Sequence, residues 1–336
     1  MSDAAFSVRS YRPEDEERVI ALLRQALGNG RAFERTSAFW QWKHFQNPFG
    51  ESLLTLAENG EIMGLRAFMR WQFRVGSRTL RAVRAVDTAT HPAFRRFGVF
   101  STLTRHTVER ARADGVDLIF NTPNRYSLPG YLKLGWVYVG RPRLLVKVLR
   151  PGRMVLSGLR ARSRQAVAGV PVVPAAMRFS SAEGLARTLE EDGRHTIEGI
   201  RTDRSVSFLH WRYGVAPTLP YYIHAQQRDA AVVVIFRPNL RRGMREIMIS
   251  ELLLGAGAGH DATAAIRGIA GAVDADYLLA HAALGSAHDR VLTRAGFRRL
   301  PVVGPHFVAH PLSPEAVTAC VHPDRWRLSL GDLEVF

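Results

Sequence analysis

Arg95, Arg96 and Gly98 stand in a ten-residue loop, His91-Pro92-Ala93-Phe94-Arg95-Arg96-Phe97-Gly98-Val99-Phe100, between a strand ending at Thr90 and a helix expected from Ser101 to about Ala113. A strand that gives way to such a loop and then to a helix amino terminus presents several free backbone N–H groups to one point, where an anion sits naturally. Gly98 lets the backbone approach a pyrophosphate without a Cβ in the way, and the arginines add charge-assisted hydrogen bonds. Taken alone, the same loop reads equally as a tight turn with two exposed arginines. Downstream lies a second unusual segment, Asn124-Arg-Tyr-Ser127-Leu-Pro-Gly-Tyr131-Leu-Lys-Leu-Gly135-Trp136, which places an amide, a hydroxyl and a phenol around a short helix.

Together, and in this order, the two segments resemble the GNAT superfamily of acyl-CoA N-acyltransferases. That family carries an (Arg/Gln)-x-x-Gly-x-(Gly/Ala) pyrophosphate loop, met here by Arg95-x-x-Gly98, with Phe100 at the place of the small residue. It also carries an Asn-x-x-(Ala/Ser)-x-x-x-Tyr-x-x-x-Gly-Phe segment, met by Asn124, Ser127, Tyr131 and Gly135, with Trp136 for the Phe. The resemblance covers residues 6 to about 140 and reaches the later half only faintly. It implies an α/β (α+β) architecture of two GNAT-like domains. Each would be a mixed, mostly antiparallel sheet, splayed between its fourth and fifth strands and flanked by helices.

The resemblance also implies acetyl-CoA as co-substrate, with its pantetheine arm between the splayed strands beside Val86, Asp87 and Thr88. The pyrophosphate would lie on Arg95, Arg96, Phe97, Gly98, Val99 and Phe100, and Asn124 and Ser127 would contact the arm. Tyr131 would protonate the departing CoA thiolate, which is sound chemistry for a phenol within reach as a carbon–sulfur bond breaks. An ordinary half-buried helix tyrosine is the other use of that position. No metal is called for.

The attacking amine is protonated at neutral pH and must shed a proton first, through a base or a water chain. Asp87 is the first candidate, ahead of His91, and its other use is as a hydrogen-bond acceptor at a strand end. A backbone N–H of the splayed strand suffices for the oxyanion. Phe39, Trp40, Trp42, Asn47, Pro48 and Phe49 either line an acceptor pocket or fill the core beneath a loop.

The elements that must position these groups follow from local patterns. Residues 6–12 alternate like a strand, and Pro13-Glu14-Asp15 opens a helix with an apolar face of Val19, Ile20, Leu22, Leu23 and Leu27, ended by Gly28. Glu58-Asn59-Gly60-Glu61 turns a hairpin between Ser52–Ala57 and Ile62–Met69. A further strand starts at Arg74 and runs toward Thr88, and Asp117–Asn121 and a short helix Leu128–Leu134 follow α/β logic.

In the later half Phe208-x-x-Trp211-Arg212 echoes Phe39-x-x-Trp42-Lys43, and Gly296-Phe297 echoes Gly135-Trp136. Between them come a strand Glu246–Leu254, a loop Gly255–Gly259, a helix Asp261–Val273 and a strand Tyr277–Ala282, in matching order. The echoes are short enough for chance, and a duplicated domain is the reading adopted. The counterparts of Asn124 and Tyr131 are Gly285 and Leu292, so the second copy is expected to be degenerate, shaping the acceptor cleft or a homodimer contact. The expected division is 1–149 for the catalytic domain, 150–178 for a basic linker, 179–310 for the second domain and 311–336 for a tail.

At 336 residues with 46% apolar content the chain is long enough for two folded domains. Its formal charge of +16 is almost wholly arginine, 43 of 46 basic residues, scattered and without a nucleic-acid-binding motif. No specific nucleic acid is therefore expected as partner. No apolar run is long enough to span a bilayer, and one cysteine, Cys320, excludes an intrachain disulfide. A cytoplasmic N-acetyltransferase acting on an amine of a sugar, small metabolite or peptide is the expectation. The alternatives are a non-catalytic acyl-CoA-binding or partner-binding protein and a charge-driven nucleic-acid binder.

Overall fold

The computed structural model describes residues 6–28, 34–156, 173–174, 182–195, 199–226, 231–301 and 303–334. The chain divides into two compact units, neither contiguous in sequence: residues up to Gly140 with His306–Pro323, and Arg141–Pro305 with Asp324–Glu334. The passage from Met154 to Val170, where a basic surface helix is one sequence reading, lies almost wholly outside the described residues.

The first unit contains β1 (Ser7–Ser10), α1 (Glu16–Leu27), α2 (Ser37–His44), β2 (Leu53–Asn59), β3 (Glu61–Val75), β4 (Arg78–Thr90), α3 (Val99–Ala113), β5 (Leu118–Asn121), α4 (Leu128–Lys133), β6 (Val137–Gly140) and β15 (Phe307–Pro311). Its strands lie in the order β1-β2-β3-β4-β5-β15-β6. All neighbours are antiparallel except β4 and β5. Val19, Ile20, Leu22 and Leu23 bury the apolar stripe of α1, and Gly28 ends it at φ 75°. Arg74 and Val75 belong to β3 rather than to the next strand, because the chain reverses at Gly76, at φ 60°.

Two irregularities of β4 shape the unit. It pairs with β5 only over Ala82–Arg84 against Leu118–Phe120, so the stretch from Ala85 onward has no strand partner on that edge among the described residues. On its other edge Leu65 faces Ala89 and Ala67 faces Val86, which leaves Asp87 and Thr88 opposite Arg66 alone. This is a β-bulge, and it re-aims the side chains on either side of it. Asp87 sits there at φ 40°, a conformation that costs a non-glycine residue roughly 1–3 kcal/mol.

α3 crosses β3 where Gly64 leaves no room to spare. A Cβ there would stand 2.6 Å from Val99 Cγ1 and 3.1 Å from the Ala89 carbonyl. Gly64→Ala is therefore expected to destabilise the protein by about 1–3 kcal/mol, read as a lower Tm. An unchanged Tm would show that the α3 packing yields freely.

The second unit holds β7 (Leu144–Val148), β8 (Val173–Pro174), α5 (Ala182–His195), β9 (Ile200–Thr202), α6 (Val206–Leu209), β10 (Tyr222–Gln226), β11 (Val232–Arg241), β12 (Met244–Leu254), α7 (Gly259–Ala272), β13 (Tyr277–His281), α8 (Ala287–Arg294) and β14 (Arg298–Arg299). Seven of its strands form a sheet in the order β8-β10-β11-β12-β13-β7-β14. Position by position this is the order of the first sheet, including a single parallel pair, β12 with β13, that separates after Met248 and Leu279.

The short echoes share local geometry as well as residue type. Thr36 and Ser205 cap α2 and α6 by accepting from Phe39 N and Phe208 N. The Phe39–Trp42 and Phe208–Trp211 rings each meet at 47°. Two sheets of matching strand order fit the expected tandem arrangement.

The borders follow the sheets, not the sequence. β7 lies between β13 and β14, and β15 lies between β5 and β6. The last strand of each half of the sequence thus lies in the other half's sheet. No helix among the described residues is long and apolar enough to cross a membrane.

Candidate active site

Tyr131 is presented by α4, a helix of under two turns with Pro129 in its first turn. The ring is buried at 4% exposure, edge-on to Phe100 at 5.6 Å and to Trp136 at 5.2 Å. Its hydroxyl oxygen accepts a hydrogen bond of 2.9 Å from Arg66 Nη1, and the same nitrogen donates to Thr88 Oγ1 at 2.7 Å. With the phenol oxygen serving as acceptor, its own proton remains to be donated elsewhere. Tyr131, Thr88 and the free edge of β4 are thus brought to one place.

Asp87, the other half of the bulge, has very different neighbours. Its carboxylate lies 2.5 Å from Lys43 Nζ, 3.1 Å from His44 Nε2 and 3.1 Å from Arg35 Nη1. Burial alone raises the pKa of such a carboxyl. Lys43, His44 and Arg35 outweigh that and hold Asp87 far below the usual carboxylate range. Burial lowers the pKa of His44 against the pull of Asp87. A neutral ring fits one tautomer here, with Nε2–H donating to Asp87 and Nδ1 accepting from Ser52 Oγ at 2.9 Å. Of the two uses weighed for Asp87, this environment describes the acceptor. A general base works best with a pKa near the operating pH.

The pyrophosphate-loop candidates are laid out as an open surface. Arg95, Arg96, Phe97 and Gly98 are exposed, Arg96 and Gly98 have φ near 75°, and neither arginine makes an ion pair among the described residues. α3 begins at Val99, two residues earlier than expected, because Gly98 turns the chain directly into it. Val99 is buried with Met63 and Leu103 and so contributes only backbone to the loop. Phe100 turns inward onto Tyr131, where Gly130 leaves space for its ring: a Cβ at Gly130 would lie 3.1 Å from Phe100 Cε1. That is why a large residue is tolerated at this position. His91 Nδ1 accepts from Ala93 N at 3.3 Å, as the cap of a short turn.

Asn124 is exposed, and its Oδ1 accepts from the backbone of Tyr126 and Ser127 at 2.9 and 3.0 Å. This fixes the loop before α4 and leaves its amide nitrogen as a donor with no partner among the described residues. Phe39, Trp40 and Trp42 are buried on α2, and Asn47 accepts from Phe49 N in the turn that follows.

Three residues here escape a reading of the sequence for motifs: Arg66, Lys43 and His44. The available signal for Arg66 was a lone charge in the apolar run Ile62–Met69, and for the other two a basic pair on an aromatic helix face. The second unit has its own cleft where β12 and β13 part, lined by Asp192, Arg204, Glu251, His281 and His288 among others. Burial pushes Glu251 up to about 7 against the pull of Arg204, and lowers His281 to about 4. At the positions matching Asn124 and Tyr131, Gly285 turns at φ 76° and Leu292 is buried.

Residues 7–139 match the family model of the acetyltransferase (GNAT) domain. A GCN5-related N-acetyltransferase from Anabaena variabilis is similar in structure, with a TM-score of 0.64 at 12% identity over 92% of this chain and 73% of that one. Another from Kribbella flavida gives 0.60 at 17% identity over 94% and 74%. Eis1 from Mycobacterium abscessus gives 0.57 at 12% identity over 94% and 76%. At such identities the likeness is one of fold. No curated protein matches the sequence.

Proposed function

We propose, from the match of residues 7–139 to the acetyltransferase (GNAT) domain model, that the protein transfers an acetyl group from acetyl-CoA to a primary amine by direct attack. The observation that carries this reading is the unpaired edge of β4 at Val86–Thr88 with the Tyr131 hydroxyl brought beside Thr88 by a shared arginine. In this scheme the pantetheine arm pairs with that edge and takes a hydrogen bond from Asn124, with Ser127 beside it. The pyrophosphate lies on the Arg95–Phe100 loop at the α3 terminus. Tyr131 gives its proton to the leaving thiolate, and a backbone N–H of the bulged strand faces the developing oxyanion.

Asp87 enters as a fixed anion that positions Lys43 and His44. A carboxylate so stabilised gains a proton only in strong acid, and the proton of the attacking ammonium leaves through water. The acceptor is an amine of a sugar, small metabolite or peptide, and the setting is cytoplasmic, which a single buried cysteine suits.

Thermal melting with and without acetyl-CoA, together with CoA-thiol release over a panel of amines, tests the reading. A ligand present at 100 times its Kd is expected to add about 2.7 kcal/mol of stability, and thiol release should depend on the amine. An unmoved Tm together with no thiol release overturns it. A Tm shift without release from any amine favours a non-catalytic acyl-CoA binder.

A further inference from the structure

We propose that Arg66 receives a carboxylate carried by one of the two substrates, an inference that rests on the acyl-transfer reading above. Arg66 is 0% exposed, in the strand opposite the bulge. Its Nη1 is spent on Thr88 and Tyr131. Among the described residues its Nε and Nη2 have no hydrogen-bond partner, and no acidic side chain forms an ion pair with it.

These orphaned groups form one edge of the guanidinium, the pair of parallel N–H donors that takes a carboxylate bidentately. The flat faces are already covered: the rings of Phe68, Tyr131 and Phe100 stand 4.9, 5.0 and 5.4 Å from Cζ. Such contacts attract the charge but satisfy no N–H. A buried cation without an anion carries a desolvation penalty, and a neutral carbonyl or a water relieves only the hydrogen-bonding part of it. An anion relieves both.

Position decides what kind of molecule brings that anion. Thr88 and Tyr131, the two residues proposed to flank the thioester, are the two that hold Arg66 in place. A group received at the free edge therefore arrives within a few bonds of the reacting carbon. It belongs either to a dicarboxylic acyl group, such as succinyl on CoA, or to an amine acceptor that carries a carboxylate.

Calorimetric binding to the full-length protein separates the two sources. The first arm compares succinyl-CoA with acetyl-CoA. The second, with acetyl-CoA bound, compares 4-aminobutyrate with butylamine. In one arm the carboxylate-bearing ligand is expected to bind about 10- to 100-fold tighter. Arg66→Met should abolish that difference, and Arg66→Lys, which keeps the charge but not the parallel donors, should restore part of it. If acetyl-CoA binds and neither carboxylate-bearing ligand is preferred, the edge holds water only: this inference falls and the acyl-transfer reading stands. Binding of neither CoA ester overturns both. The wild-type comparison decides the matter even where a variant fails to fold.

Discussion

Tyr131→Phe should lower kcat by about 10²–10⁴ while leaving the Kd for CoA within about twofold. The substitution removes the Tyr131 hydroxyl, held beside Thr88 by Arg66, and keeps the ring that packs on Phe100 and Trp136. Binding should survive because the loop at Arg95–Phe100 and the Asn124 turn do not depend on the hydroxyl. Arg66 Nη1 would keep Thr88 as a partner, so the expected cost to stability is that of one hydrogen bond, about 1 kcal/mol. Steady-state turnover and calorimetric CoA binding, measured on the same preparation, check both halves. A variant that turns over as fast as the wild type would remove Tyr131 from the chemistry. One that loses CoA binding and turnover together would make it a binding residue instead.

Asp87→Ala should cost about 3–5 kcal/mol, since it removes the buried carboxylate that Lys43, His44 and Arg35 share. A fall in Tm of roughly ten degrees is the readout. The pH dependence has a definite sign. The native pKa of Asp87 is depressed, so its stabilisation is complete above the unfolded value near 4 and is lost as pH falls through the lower native value. His44 acts in the same direction: burial depresses its native pKa, so the unfolded chain takes up a proton below about 6.5 that the native ring resists. Wild-type stability should therefore decline from about pH 6.5 downward and more steeply below about 4, and the gap to Asp87→Ala should narrow in acid. A gap that widens on acidification, or a variant as stable as the wild type at pH 7.5, contradicts the ion cluster.

What could be read from the sequence was what is encoded locally. The stripe of Val19, Ile20, Leu22 and Leu23, the Gly28 stop and the Asn59-Gly60 turn all lie where short-range chemistry puts them. The paired motifs at Arg95–Gly98 and Asn124–Trp136 fall on the loop before α3 and on α4, where the expected loop and short helix lie. What escaped depends on partners distant in the chain. Nothing in the alternation of Leu144–Val148 or Phe307–Pro311 states which sheet each strand joins. Asp87 could be placed on a strand, but its pKa is set by α2 and Arg35, more than forty residues earlier. Arg66 is the lone charge between Ile62 and Met69, and only the bulge across from it gives that charge a position.

The exchanged strands bear on time as well as on space. β5 and β6 leave the ribosome well before the strand that joins them, Val308 facing Asn121 on one side and Tyr138 on the other, which is made only after β7–β14. Until then the first sheet has an open gap beside the strand that ends at Asn121, and such unpaired edges invite aggregation. The closing contact is of high sequence separation and belongs among the slow steps of folding. A chain cut short before Phe307 would thus leave the first sheet with a missing plank, whatever the second unit binds.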